Sequence, residues 1–138
     1  MTASPASGGT REAIRVLLVE DTVIDAELTL RHLKRFGLVC ESRRVATEAD
    51  FRTALSDFVP DVILSDYAMP LFDGLRALEL ARNLAAGIPF IFVSGSIRPQ
   101  DVNTGRGDGA MDFVNKDDLS RLGPAIENAL AGAPTTRK

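Results

Sequence analysis

Cysteine is nearly absent from this sequence, since Cys40 is the only one among 138 residues. One thiol cannot build an internal disulfide framework, so the chain fits a reducing compartment such as the cytoplasm. The sequence also lacks an apolar run of membrane-spanning length, and its first residues lack the charged and apolar regions of an export signal. A net charge of −3 gives no bulk attraction for nucleic acid or for an anionic membrane surface. We therefore predict a cytoplasmic protein that binds neither nucleic acid nor membrane directly.

The length and composition favour one globular domain. A chain of 138 residues, 45% of them apolar and 25% charged, is long enough for one real core and too short for two comfortable ones. We predict a flexible N-terminal leader over residues 1–12 and the domain itself over residues 13–132. Residues 133–138 are expected to form a C-terminal tail or the start of a linker.

Five short apolar runs alternate with helical patterns along the chain. Three of the runs are continuous and rich in Val and Ile, as in strands that are covered on both faces of a parallel sheet, and the second alternates as an edge strand would. The predicted strands are residues 16–19, 38–45, 62–65, 90–93 and 111–114. This βα alternation predicts an α/β fold with a doubly wound, five-stranded parallel sheet and helices on both faces.

The helical patterns carry recognisable ends. Thr47 and Asp73 are typical N-caps, Gly37 is a typical C-cap, and the pair Gly123-Pro124 predicts a kink in the last helix. The predicted helical stretches are residues 22–37, 47–58, 73–87 and 117–130. In the first of them the apolar residues that keep helical spacing are Val23, Ala26, Leu30 and Leu33.

The segment before the fifth strand has a poor helical pattern. Gly105, Gly107 and Gly109 lie within it, and each glycine costs about 1 kcal/mol relative to alanine in a helix interior. We therefore predict a weak or irregular fourth helix.

Polar side chains follow four of the five predicted strands. They are Glu20 and Asp21 after the first, Asp66 after the third, Ser94 at the end of the fourth and Lys116 after the fifth. Because parallel strands bring their carboxyl ends to one edge, these side chains are expected to meet there. Three adjacent carboxylates attract a divalent cation such as Mg²⁺, while a lysine and a hydroxyl suit a phosphoryl group. A carboxylate can itself be the nucleophile and form an aspartyl phosphate.

With these residues in place, the sequence resembles the receiver domain of two-component response regulators. The motifs that carry the resemblance are "VLLVED", "DVILSDYAMPLFDG", "FIFVSGS" and "GAMDFVNK", and together they cover roughly residues 14–131. The resemblance implies a flavodoxin-like (βα)5 fold with strand order 2-1-3-4-5. It also implies that Asp66 accepts a phosphoryl group, in a Mg²⁺-dependent reaction, from a histidine kinase or a phosphotransfer protein.

The resemblance further implies how the metal ion is held. Asp21 would bind Mg²⁺ directly and Glu20 through a water molecule. Asp66 and the backbone carbonyl of Ala68 would complete the protein ligands.

The remaining family positions concern the phosphoryl group and the conformational switch. Ser94 and Lys116 would contact the phosphoryl oxygens, and Phe113 matches an aromatic position whose ring reorients when the hydroxyl of Ser94 moves toward the phosphate. Two departures from the family pattern affect this edge. Asp117 stands where a proline with a preceding cis peptide is common, so the loop after the fifth strand is expected to differ in shape, and Phe113 replaces the more common tyrosine.

A receiver of this kind is a signalling switch rather than an enzyme with a free substrate, because it catalyses only its own phosphorylation and dephosphorylation. The expected output is a downstream effector protein or a covalently linked sensor or kinase module, and a homodimer is left open. Two alternatives also remain: a degenerate receiver acting as a constitutive docking module, and a phosphohydrolase with Asp66 as nucleophile. The second would need another acid where this chain has Ala68. A nucleotide-binding module would need a glycine-rich turn after the first strand, and "VEDTVID" has none.

Overall fold

The computed structural model describes residues 13–67, 69–95 and 112–137, with the side chains of 132–137 left aside. The predicted leader, Ala68 and the predicted fourth helix lie outside the described residues. The strands are β1 (Ile14–Val19), β2 (Cys40–Val45), β3 (Val62–Ser65), β4 (Phe90–Ser94) and β5 (Asp112–Asn115). The helices are α1 (Val23–Phe36), α2 (Glu48–Asp57), α3 (Gly74–Leu84), a 3-10 helix (Lys116–Arg121) and α4 (Leu122–Arg137).

The five strands form one parallel sheet in the order β2-β1-β3-β4-β5, so the predicted fold class and strand order are confirmed. The interior strand β1 is almost fully buried, whereas four consecutive residues of β2 are exposed, as expected for an edge strand. Within the described part of the chain, no helix is both long enough and apolar enough to cross a membrane.

Alternate residues of the central strands face two separate cores, because successive side chains of a strand point to opposite faces. One core packs against α2 and α3, and its members include Leu17, Val19, Phe51, Ile63, Leu78 and Phe92. The other packs against α1 and α4, and its members include Val16, Leu18, Leu33, Leu64, Ile91 and Ile126. The helices therefore cover both faces of the sheet, as in the predicted doubly wound arrangement.

Three predicted helix caps are confirmed. The Thr47 hydroxyl accepts a hydrogen bond from the backbone N–H of Asp50 at 3.2 Å, and the Asp73 carboxylate accepts one from Leu75 N–H at 3.2 Å. Gly37 ends α1 with φ of +109°, a conformation that only glycine adopts without strain. These short-range signals explain why two helix starts and one helix end could be predicted from the sequence alone.

Not all of the apolar residues that keep helical spacing in α1 are buried, since Val23 is 50% exposed. Thr29 is buried instead, and its hydroxyl donates to the backbone carbonyl of Asp25 at 2.9 Å. The reason is that Val23 is the first residue of α1, next to the carboxyl edge of the sheet, where the sheet no longer covers it. Ala26 and Leu33, which share that spacing, are buried in the core.

The break in the last predicted helix precedes Gly123-Pro124. Residues 116–121 form the 3-10 helix, Asp118 has non-helical angles, and α4 begins at Leu122. A proline in a helix interior clashes with the carbonyl four residues earlier, so an α-helix through Ser120 is not compatible with Pro124. In the first turn of α4, where backbone N–H groups have no partner in the helix, Pro124 is tolerated. The α4 helix also continues to Arg137, beyond residue 130, where the sequence pattern ended.

Val59, after α2, has a left-handed backbone with φ of +52°, which is strained for a β-branched residue. Its side chain is 56% exposed, so little packing offsets the strain. We expect Val59→Gly to raise the free energy of unfolding by about 1 kcal/mol, because relief of strain exceeds the entropy that glycine adds to the unfolded chain. Urea unfolding checks this.

Val39 is the matched control for Val59. It is also an exposed loop valine, 69% accessible, but its φ lies outside the left-handed region. Val39→Gly should therefore lower stability by about 0.5–1 kcal/mol. A loss of stability in both variants would contradict strain at Val59.

Candidate functional site

Asp66 lies at the carboxyl edge of the sheet because the buried strand β3 ends just before it. Its backbone N–H donates to the carbonyl of Val19 at 2.9 Å, which extends the pairing with β1 by one residue. The buried hydroxyl of Ser65 donates to the Asp66 carbonyl at 2.8 Å. The backbone of Asp66 is thus fixed on both sides, and its side chain is 11% exposed. These hydrogen bonds hold the backbone that carries the Asp66 carboxylate at the carboxyl edge of the sheet.

Glu20 follows β1, and each of its polar groups makes a hydrogen bond or an ion pair. Its N–H donates to the carbonyl of Val45 at 3.0 Å, and its own carbonyl accepts from the Arg44 guanidinium at 3.0 Å. One side-chain oxygen, Oε2, accepts from Thr22 N–H at 3.1 Å at the start of α1. The side chain is 7% exposed, so Glu20 supports the local structure as well as adding charge.

Lys116 connects the acids of this edge. Its Nζ lies 2.7 Å from Glu20 Oε1, 2.9 Å from Asp25 Oδ2 and 3.2 Å from Asp66 Oδ2. An ammonium group has three N–H donors, so these three carboxylates can engage all of them. The lysine side chain is 18% exposed, and its charge neutralises part of a strongly acidic cluster.

Burial and the ion pair have opposite effects on the pKa values of Glu20 and Lys116. Burial raises the pKa of Glu20 above its ordinary value, although the hydrogen bond and charge of Lys116 oppose the rise. Burial alone would lower the pKa of Lys116, but its hydrogen bonds to Glu20 and Asp25, together with the charges of Glu20 and Asp66, raise it. Lys116 is therefore positively charged at any physiological pH.

Three carboxylates at this edge could hold a metal ion. Glu20, Asp21 and Asp66 each offer one oxygen, and these oxygens lie within 4.8 Å of one another. Asp21 is exposed and Asp66 half-buried, so the cluster opens to solvent on one side. A set of hard carboxylate oxygens fits Mg²⁺, which binds a few carboxylates and keeps water or phosphate oxygens in its other positions.

The residues predicted for the switch lie on the adjoining strands. Ser94 ends β4 and is 1% exposed, and its register partner is Asn115, next to Lys116. The Phe113 ring is buried and stacks on Phe92, with the ring centroids 5.1 Å apart. Phe92 also meets Tyr67, the residue after Asp66, edge to face at 5.1 Å. An aromatic stack thus joins Tyr67, the residue after Asp66, to the predicted switch position Phe113.

The loop after β5 fixes the backbone of Lys116. The Asn115 side chain accepts from the N–H of Asp117 at 2.8 Å and so caps the 3-10 helix. The peptide between Lys116 and Asp117 is trans. Without the proline that is common at this position, the chain turns directly into the short helix.

Asp25 is the site residue that sequence reasoning missed. It lies in the first turn of α1, four residues after Asp21, and binds Lys116 directly. Asp21 precedes the helix, so helical spacing does not link the two acids, and no local pattern in the sequence indicated the contact of Asp25 with Lys116. The other predicted residues are placed as follows: Glu20, Asp21, Asp66 and Lys116 lie together, Ser94 and Phe113 lie on the adjoining strands, and Ala68 lies outside the described residues.

The comparisons with known proteins agree with this geometry. Residues 16–127 match the response regulator receiver domain family. The chain is 31% identical over 116 residues to transcription factor SKN7 of Saccharomyces cerevisiae, covering 81% of this chain but 18% of that protein. It is 35% identical over 111 residues to the two-component response regulator ORR41 of Oryza sativa subsp. japonica, covering 77% of this chain and 85% of that protein.

A solved structure shows the same arrangement. The signal receiver domain of a signal transduction histidine kinase from Syntrophus aciditrophicus superposes with a TM-score of 0.73 and 28% identity, over 87% of this chain and 92% of that one. The match to the family covers most of the sequence and nearly all of the described sheet. The chain belongs to the response regulator receiver domain family.

Proposed function

We propose that Asp66 is the phospho-acceptor of this receiver domain and that its phosphorylation changes the surface that partners bind. The observation that carries the proposal is the position of Lys116, whose Nζ contacts both Asp66 and Glu20. A nucleophile, a cation and a cluster of acids converge from three separate elements on one fixed edge. This is the arrangement that phosphoryl transfer needs, since its catalysis consists of positioning and charge stabilisation.

In the proposed reaction an Asp66 carboxylate oxygen attacks the phosphorus of the donor. A phosphorus–oxygen bond forms, the bond to the leaving group breaks, and its electron pair leaves with that group. For a histidine kinase or a phosphotransfer protein the leaving group is the imidazole nitrogen. The Lys116 ammonium would stabilise the negative charge first on the Asp66 carboxylate and then on the phosphoryl oxygens. Ser94, at the end of the neighbouring strand, is the proposed hydroxyl contact.

Mg²⁺ is the proposed cofactor, and it would supply positive charge that lets two anions approach. Asp21 and Asp66 are the proposed direct ligands. Both oxygens of Glu20 already accept hydrogen bonds, one from Lys116 and one from Thr22 N–H, which supports an indirect role through water. The Ala68 carbonyl remains a proposed ligand.

The proposed donor surface is the exposed start of α1, beside the site. Val23, Ile24 and Leu28 are 50%, 68% and 41% exposed, and adjacent apolar side chains on a surface favour contact with a protein partner. The chain spans 18% of the length of the yeast relative, so its output is either a separate effector or another module of a longer protein. We place this signalling in the cytoplasm, in keeping with the single cysteine.

The test is intact mass after incubation with acetyl phosphate. We expect a gain of one phosphoryl group that requires Mg²⁺ and is absent in Asp66→Asn. Asp57→Asn is the matched control, because Asp57 is an exposed acid at the end of α2, and it should still be phosphorylated.

An adduct in Asp66→Asn, or an adduct that forms equally well without Mg²⁺, would show that another residue or another chemistry is involved. If the wild type gives no adduct and also fails to bind beryllofluoride with Mg²⁺, the docking-module alternative replaces the proposal.

A further inference from the structure

We propose that Asp25 is a brake on phosphorylation, which holds Lys116 in the unphosphorylated protein and opposes the arrival of the phosphoryl group. The inference rests on the proposed role of Asp66. Asp25 Oδ2 lies 2.9 Å from Lys116 Nζ, closer than Asp66 Oδ2 at 3.2 Å. Asp25 is thus a positioning residue that competes for the lysine on which the acceptor depends.

The competition follows from the limited number of lysine donors. Lys116 has three N–H groups and three carboxylate partners, so a phosphoryl oxygen must displace or share one of these bonds. The Asp25 side chain is 36% exposed, compared with 7% for Glu20 and 11% for Asp66. If a carboxylate loses Lys116, the cost of leaving its charge unpaired is smallest for Asp25, because water can reach it most easily. We infer that the bond to Asp25 is the one that yields.

Charge acts in the same direction. Asp25 and Asp66 bind the same ammonium nitrogen, so a phosphoryl group on Asp66 lies close to the Asp25 carboxylate. The phosphorylated side chain carries about −1.5 to −2 charges at neutral pH in place of the single charge of the carboxylate, and like charges at short range repel. Asp25 therefore disfavours the phosphorylated state even while Lys116 screens it.

The backbone of Asp25 cannot easily move away from this conflict. The buried hydroxyl of Thr29 donates to the Asp25 carbonyl at 2.9 Å and fixes the first turn of α1. The carboxylate also lies at the N-terminal end of α1, where the helix dipole favours negative charge. Both features keep an acid beside Lys116, where a neutral residue would leave the lysine free for the phosphoryl group.

The test compares the binding of beryllofluoride, a phosphoryl mimic, by wild type and Asp25→Asn at Mg²⁺ concentrations that saturate each protein. Tyr67 is the only tyrosine, the chain has no tryptophan, and the residue follows Asp66, so intrinsic fluorescence reports on the site. We expect Asp25→Asn to bind about fivefold more tightly, as for loss of a partly exposed ion pair that opposes binding. Asp25→Glu, which restores the charge, should return the affinity toward the wild-type value.

Glu27→Gln is the control for net charge, because Glu27 is an exposed acid on α1. It should leave the affinity within twofold of the wild type. Without metal or beryllofluoride, the Lys116 Nζ protons should exchange with solvent faster in Asp25→Asn, as measured by NMR. Unchanged or weaker beryllofluoride binding by Asp25→Asn would overturn the brake, and so would Lys116 Nζ proton exchange that is no faster than in the wild type. If the wild type itself does not respond and Asp66→Asn behaves identically, the proposed function fails instead.

Discussion

Replacing Lys116 by methionine is expected to lower the free energy of unfolding at pH 8 by about 3 kcal/mol in the absence of Mg²⁺. Methionine keeps most of the side-chain volume, so the loss comes from charge. Glu20 and Asp66 are 7% and 11% exposed and would lose the cation that both contact. The expected loss is at the lower end for a broken buried pair, because the site opens to solvent at Asp21.

The loss should shrink as the pH falls. Glu20 already has a raised pKa in the folded protein, and removing Lys116 raises it further. A carboxyl with a raised folded pKa binds protons more tightly when folded, so stability falls as pH rises from its ordinary value of 4.5 through the raised value. Lys116 itself, with a raised pKa, stabilises the wild type fully below its ordinary 10.5 and loses that contribution only as pH rises through the raised value. Measured by urea unfolding, the difference in the free energy of unfolding between the wild type and Lys116→Met should therefore be larger at pH 8 than at pH 5.

Mg²⁺ provides a second check on the same variant. Because the ion can supply the missing positive charge, it should stabilise Lys116→Met more than it stabilises the wild type. Lys34→Met is the matched control, since Lys34 is exposed on α1, and its stability should stay within about 0.5 kcal/mol of the wild type. Equal losses in the two lysine variants, or a deficit that is independent of pH, would show that the carboxylates do not depend on Lys116.

The carboxyl edge was predictable because it depends on strand ends. Asp66 and Lys116 each follow a short apolar run, and a parallel sheet brings such positions together wherever the helices lie. The hydrogen bond between Lys116 and Asp66, 50 residues apart, is a direct consequence of that topology. The positions of the strand ends, together with the parallel direction of the strands, were sufficient to predict this contact.

The start of α1 was not predictable in the same way. Val23 keeps the helical spacing of the apolar residues of α1 and yet is exposed, while Asp25 was assigned no role and binds Lys116. Both outcomes have one cause, since α1 begins beyond the edge of the sheet and its first turn covers the site rather than the core. Helical periodicity gives relative positions around a helix, but it does not tell how far the helix extends past its sheet.

Glycine contacts were also hidden from the sequence. Gly123 was interpreted as part of a kink, yet a Cβ at this position would lie 2.4 Å from the Phe36 ring, so the glycine allows α1 and α4 to approach closely. Such contacts join residues that are distant along the chain. No local pattern distinguishes a glycine that is needed for packing from one that is needed for a turn.

Gly74→Ala is expected to lower the free energy of unfolding by about 2–3 kcal/mol, although alanine normally favours a helix. Gly74 is the first residue of α3, and a Cβ there would lie 2.5 Å from the Asp66 carbonyl oxygen and 2.8 Å from that of Tyr67. The Phe92 ring would be 2.9 Å away. Backbone oxygens cannot rotate away as a flexible side chain can, so either α3 or the acceptor loop, meaning the backbone of Asp66 and Tyr67, has to shift.

The shift would affect the site as well as the stability. Gly74 N–H donates to the Tyr67 carbonyl at 3.2 Å, and the Ser65 hydroxyl holds the Asp66 carbonyl, so the loop cannot move without breaking one of these bonds. A displacement of about 1 Å at a reacting group can cost on the order of 100-fold in rate. We therefore expect Gly74→Ala to be phosphorylated by acetyl phosphate on the order of 100-fold more slowly than the wild type.

Gly87→Ala makes the same chemical change where it should be harmless, because nothing lies within 4 Å of a Cβ there and its φ is outside the left-handed region. That variant should match the wild type or gain about 0.5 kcal/mol, and its phosphorylation rate should not change. Urea unfolding and the time course of the phosphorylated mass measure both effects. If Gly74→Ala were as stable and as reactive as Gly87→Ala, the close packing of α3 on the acceptor loop would not be what fixes Asp66 in place.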